Sequence, residues 1–198
     1  MRQAQFRIVR VAGVILLAML VLGGMLYAQD KLKAGIEAYK KGDYDQAIYL
    51  LNQHLSQIPY DYDGNFYLGN AYFQKKDWKE ALRAYQKAYQ RKAKPEVLYQ
   101  LGLTCMESGD LPQAAKYAQE GIKSKGTQSE IGQMNYLLAK IQFQQKNYSE
   151  ADKNLRMALA ADPDNSYCFP ITILQRYFTG EMPPLLPRIL MRCKFFLF

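Results

Sequence analysis

The sequence is poor in the residues on which most catalytic chemistry depends. Its 198 residues include one histidine, His54, and three scattered cysteines, Cys105, Cys168 and Cys193. There is no second His to build a zinc site, and no Cys-x-x-Cys pair occurs. Three cysteines do not make a disulfide framework. A nucleophile with a histidine partner has only His54 to draw on. There is no P-loop and no Gly-rich phosphate cradle, and no paired carboxylates sit in an apolar context. No cofactor, no metal and no enzymatic activity are expected.

What is present is a foldable chain with abundant aromatics: 16 Tyr, 9 Phe and 1 Trp within a hydrophobic fraction of 49%. That content excludes disorder as the main state. The formal charge of +8 would by itself suggest nucleic acid, but it is unevenly placed. Residues 1–28 hold Arg2, Arg7 and Arg10 and no acid, whereas residues 29–180 are nearly balanced. The last 18 residues set Arg188, Arg192 and Lys194 against Glu181.

Residues 11–28 read VAGVILLAMLVLGGMLYA, an uncharged run behind three arginines. This is the pattern of a basic n-region and an apolar h-region of an export signal. Two fates fit it. Cleavage after Ala28 would release the body, and retention would leave a membrane anchor, since eighteen residues reach about 27 Å against a bilayer core of roughly 30 Å. Either fate places the body outside the cytoplasm.

A repeat runs through that body. Gly42-Asp43-Tyr44-Asp45-Gln46-Ala47 recurs as Lys76-Asp77-Trp78-Lys79-Glu80-Ala81, then as Gly109-Asp110-Leu111-Pro112-Gln113-Ala114 and Lys146-Asn147-Tyr148-Ser149-Glu150-Ala151, at offsets of 34, 33 and 37. Eight residues before each Asp or Asn stands a small residue: Gly35, Gly69, Gly102 or Ala139. Each Asp or Asn is followed three residues later by Gln or Glu, which marks a helix start with reciprocal capping. The longest offset contains Thr127-Gln-Ser-Glu130, a further capping box. It predicts that the following helix begins about one turn early.

The period and the residues Leu68-Gly69-x-x-Tyr72, Ala81, Tyr85 and Ala88 resemble the tetratricopeptide repeat. The resemblance covers roughly residues 28–165, as repeats 28–61, 62–94, 95–131 and 132–165. Departures occur at Ala34, His54, Cys105 and Ala118, where the family usually has other residue types. The resemblance implies an all-α, right-handed superhelical solenoid of about four helix pairs plus a C-terminal capping helix, at 166–180. Residues 170–178 (PITILQRYF) supply the amphipathic pattern for that cap. The tail 181–198 is Pro-rich, then basic and apolar, and it has no clear period.

The resemblance also implies function by holding a protein or peptide, with the first helix of each pair lining the concave face. With the capping Asp or Asn numbered sixteen, positions five, nine and twelve share one face. They supply Tyr39, Phe66, Asn70, Phe73, Tyr99, Leu103, Met106, Tyr136, Lys140 and Phe143 as the candidate peptide groove. Leu68, Tyr72, Tyr85, Leu101, Leu138 and Leu155 already furnish a core, so this stripe is expected to be available. A carboxylate clamp of the kind some family members carry is not expected, because Leu32 and Ile36 occupy its positions in repeat one.

Lys79, Arg83, Lys87 and Arg91 form an i, i+4 ladder on one helix. They offer a possible contact to anionic lipid or envelope polymer. The simpler account is a solvated helix face. Nucleic acid is not expected, because the body is read as exported and the aromatics of the stripe lie on other helices than this strip. His54 is expected to be packed and Cys105 to be a core residue.

Overall fold

The computed structural model describes Met19, residues 29–124 and residues 126–161. Its helices are α1 (29–40), α2 (Tyr44–Gln57), α3 (Tyr62–Gln74), α4 (Trp78–Arg91), α5 (Pro95–Glu107), α6 (Leu111–Lys123), α7 (Gln128–Gln144) and α8 (Tyr148–Ala161). No strand occurs among the described residues. The chain divides into two compact units, Met1–Asp110 and Leu111–Phe198. Helices α1–α5 belong to the first and α6–α8 to the second. The expected capping helix, the tail, Cys168 and Cys193 lie outside the described residues. So does the apolar run 11–28, apart from Met19. No described helix is long and apolar enough to cross a membrane.

Each unit is built by packing successive helices. In the first, α2 packs on α3, α3 on α4 and α4 on α5; in the second, α6 packs on α7 and α7 on α8. Ala38, Ala47, Leu50, Leu51, Leu68, Ala71 and Ala84 form a buried cluster in the first unit. Ala139, Leu155 and Ala158 form one in the second. The small residue eight before the cap does the work its position suggests. A Cβ added at Gly69 would stand 2.5 Å from Tyr85 Cδ1, so only glycine lets α3 lie on that fully buried ring.

The turn joining each first helix to its second is the same structure four times. The residue before the cap has a left-handed backbone: Gly42 at φ 80°, Lys76 at 60°, Gly109 at 87° and Lys146 at 61°. Its N–H donates to the carbonyl three residues back, and the following N–H donates to the carbonyl five back. In repeat two these are Lys76 N to Phe73 O at 2.9 Å and Asp77 N to Tyr72 O at 3.0 Å. That bonding closes the outgoing helix in a Schellman motif. The next residue opens the second helix. Asp43 Oδ1 accepts from Gln46 N at 3.1 Å, and Asp77 Oδ1 accepts from Glu80 N at 3.2 Å. The reciprocal bond expected of Glu80 is not made, because its carboxylate pairs with Arg83.

Helix α7 has 17 residues where α3 and α5 have 13. Its start is the expected capping box: Thr127 N donates to Glu130 Oε2 at 2.7 Å, and Glu130 N donates to Thr127 Oγ1 at 3.3 Å. The four extra residues of the longest repeat are one more helical turn.

Candidate functional site

The stripe predicted from positions five, nine and twelve separates into residues open to a partner and residues committed inside the fold. In the first unit Tyr39, Phe66, Phe73, Tyr99 and Leu103 are half-buried, each with part of its side chain at the surface. Phe66 stacks on Tyr62 at 5.9 Å between centroids and meets the edge of Tyr67 at 5.8 Å. Tyr67 in turn lies 5.7 Å from Tyr39 of α1. One connected run of rings therefore joins α1 to α3. In the second unit Tyr136, Lys140 and Phe143 are half-buried, and Tyr136 packs against the α7–α8 cluster.

Two residues expected on the open stripe are buried instead. Asn70 is 9% exposed, and its Oδ1 accepts the Tyr85 hydroxyl at 2.7 Å. A buried tyrosine needs a partner for its O–H, and Asn70 is turned inward to provide it. Met106 is 4% exposed and is part of the core.

Position twelve has a second task. Tyr39, Phe73 and Phe143 each meet the aromatic residue that follows the cap: Tyr44 at 5.9 Å, Trp78 at 5.1 Å and Tyr148 at 5.4 Å. These ring pairs clasp the turn between the two helices of a repeat. Sequence reasoning passed over Tyr44, Trp78 and Tyr148, along with Tyr62 and Tyr67. The signal was within the quoted motif, since an aromatic directly follows the cap in three of its four copies.

The basic ladder is exposed along its whole length, at Lys79, Arg83, Lys87 and Arg91, while the other side of α4 buries Ala81, Ala84, Tyr85 and Ala88. His54 is 2% exposed, with Nε2 3.2 Å from Asp61 Oδ2. That same oxygen accepts from Gly64 N at 2.7 Å to cap α3. His54 is thus a packed residue at a helix junction. Burial, reinforced by Asp110, pushes the Cys105 thiol up to about 11, which leaves it protonated and inert at neutral pH. Burial, and then the hydrogen bond its hydroxyl donates to Glu96 at 2.7 Å, raises the Tyr62 phenol as well. Lys94 completes that corner, 4.4 Å above the Tyr62 ring and paired with Glu96 at 3.1 Å.

These repeated turns, caps and ring pairs agree with the comparison of whole sequences. Residues 32–96 and 99–166 match the tetratricopeptide repeat family. The chain belongs to the tetratricopeptide repeat family. Its fold is the expected class, an all-α solenoid of helix pairs. Among solved structures it is similar to PilF of Pseudomonas aeruginosa, with a TM-score of 0.70 and 18% identity over 80% of this chain and 71% of that one. It is similar to MamA, with a TM-score of 0.68 and 17% identity over 78% and 83%. YrrB, described as a repeat protein of this family with an unusual peptide-binding site, has a TM-score of 0.62 and 14% identity over 76% of each chain. At these identities the likeness establishes the fold alone. No curated protein matches the sequence. A tetratricopeptide fold implies a protein-interaction scaffold.

Proposed function

We propose that this chain is a non-catalytic adaptor that holds a peptide or partner protein against the half-buried rings of its first helices. The observation that carries this reading is the connected run Tyr39–Tyr67–Phe66, whose half-buried rings keep part of their area at the surface while Tyr39 and Tyr67 rest on the core. Large rings held rigidly by their neighbours give contact area at low entropic cost, as partner-binding surfaces require. The three arginines and the uncharged run 11–28 support work at the cell envelope, by export or by a membrane tether.

Photo-crosslinking from positions 67 and 103 of the intact chain, beside Phe66 and Tyr99, tests the proposal. A crosslinked partner should be recovered from both positions and lost on Phe66→Ser with Tyr99→Ser, while the far-ultraviolet circular dichroism is retained. Full recovery of the partner with that double variant would refute the groove. N-terminal sequencing of the recovered chain then separates a cleaved signal from a retained anchor.

A further inference from the structure

A cleft of about 460 Å³ opens on a different side of α3 from the aromatic stripe. On α3 it is lined by Asn65, Leu68 and Tyr72. At 100° per residue these lie about 130° around the helix from Phe66, Asn70 and Phe73. The volume is within the ~300–1,000 Å³ typical of ligand sites. Ala84 of α4 joins the apolar floor, Tyr60 of the α2–α3 turn lines the cleft with 64% of its surface exposed, and α4 brings Arg83 and Lys87.

Three features describe what would fit. Asn52 and Gln86, both exposed, line the cleft with amide groups, which both donate to and accept from peptide groups. Glu80, paired with Arg83, is the single acid of this lining, which leaves Lys87 in excess, and the ladder continues the positive charge to Lys79 and Arg91. Asn65 is 1% exposed, and its Nδ2 donates to Pro59 O at 2.9 Å and Asp61 O at 2.7 Å. Its Oδ1 accepts from no described residue. Asn52 also lines a neighbouring hollow of about 500 Å³ on α2, with Ile48, Tyr49 and Asp45, the last paired with Lys75. The site is therefore elongated rather than a pit for one small molecule.

We propose that this cleft is a second binding site, for an extended acidic peptide segment. Its carboxylates pair with Lys87 and with the Arg83 N–H groups that Glu80 does not use, its main-chain groups bond Asn52 and Gln86, and its side chains cover Tyr60. A bilayer is flat and would touch only the tips of the α4 ladder, without entering the hollow beside it. Charge thus calls for an acidic partner, and the shape of the hollow favours a chain laid into it over a lipid surface.

The test uses the full chain and a short, end-blocked, fluorescein-labelled peptide of alternating Glu and Ser, read by anisotropy. Arg83→Glu with Lys87→Glu should weaken binding about tenfold or more. Tyr60→Ala and Asn52→Ala should each weaken it severalfold, while Phe66→Ala, which strikes the proposed groove, should leave it unchanged. All these side chains are at least partly exposed, and circular dichroism verifies folding. Indifference to Tyr60→Ala and Asn52→Ala would reduce the effect to surface charge and overturn the cleft. Equal binding of a Lys/Ser peptide would overturn it too. So would binding to phosphatidylglycerol vesicles that the acidic peptide does not displace, which would assign the strip to membranes.

Discussion

The His54 ring occupies the space that a side chain on Gly64 would need: a Cβ built there falls 2.8 Å from His54 Cδ2. These residues are position twenty-seven of one repeat and position three of the next. In the second unit the sizes are exchanged, with Gly121 on α6 against Met134 on α7, where an added Cβ would fall 2.5 Å from Met134 Sδ. Ala88 and Val97, both fully buried, hold the same two positions on α4 and α5. The two glycine junctions each set a large residue against the smallest one, as close packing demands. Gly→Ala within a helix ordinarily stabilises by up to about 1 kcal/mol. Here Gly64→Ala should destabilise by about 1–3 kcal/mol from overpacking. Combined with His54→Ala it should cost less than the separate effects imply, a coupling above about 0.5 kcal/mol in a double-mutant cycle. Urea unfolding followed by circular dichroism measures it, and strict additivity would remove the packing argument.

The four left-handed turn positions give a prediction with a definite sign. Gly42 and Gly109 have nothing within 4 Å of an added Cβ, so backbone conformation alone selects glycine there. Lys76 and Lys146 adopt the same conformation with a side chain attached. A left-handed L-residue costs about 1–2 kcal/mol, offset in part by the greater unfolded-state freedom of glycine. Lys76→Gly and Lys146→Gly should each stabilise by about 0.5–1 kcal/mol, and Gly109→Ala should destabilise by about 1 kcal/mol. A lower melting midpoint for both lysine variants would contradict the shared turn.

Much of this architecture was legible because a repeat multiplies each local signal. Asp43 and Asp77 mark real caps, and Thr127 with Glu130 announced the early start of α7. The site was less legible for a physical reason. A face assigned by angle around a helix does not reveal whether a neighbouring side chain has already claimed a residue. Asn70 is taken by Tyr85, and Phe73 by Trp78. Those claims come from the second helix of the pair, at a distance set by the turn, and no periodicity within the first helix carries them. The Gly64 and Gly121 contacts escaped for the same reason, since they arise between successive repeats.

The Thr127–Glu130 capping box ties stability to pH. The Glu130 carboxylate accepts first from the Thr127 backbone N–H and then from its hydroxyl, and both hold it below the usual carboxylate value. A carboxylate depressed in the folded state contributes stability that is complete above its unfolded pKa of about 4.3 and is lost as pH falls through the folded value. Melting midpoints should therefore drop on acidification, and Glu130→Gln, which cannot titrate, should make that drop shallower. At neutral pH, Thr127→Ala should cost about 1 kcal/mol. An identical acid limb in wild type and Glu130→Gln would show that the box does not sense pH.

The ring pairs make a prediction that separates folding from binding along the stripe. Phe73 and Trp78 stand 5.1 Å apart in an edge arrangement, and each reports on the other. Phe73→Leu and Trp78→Leu keep apolar volume but lose the ring contact, so each should destabilise by about 0.5–1.5 kcal/mol beyond its loss of area. Made together they should cost less than their sum, since the contact can be lost only once. Tyr99 stands at position five of its repeat, as Phe66 does in the repeat before, and it keeps part of its ring at the surface on the proposed groove. Tyr99→Leu should therefore act on partner capture more than on the melting midpoint. The same two readouts on Phe73→Leu decide the matter. A stable variant that no longer captures the partner would return position twelve to the binding surface and take it out of the turn.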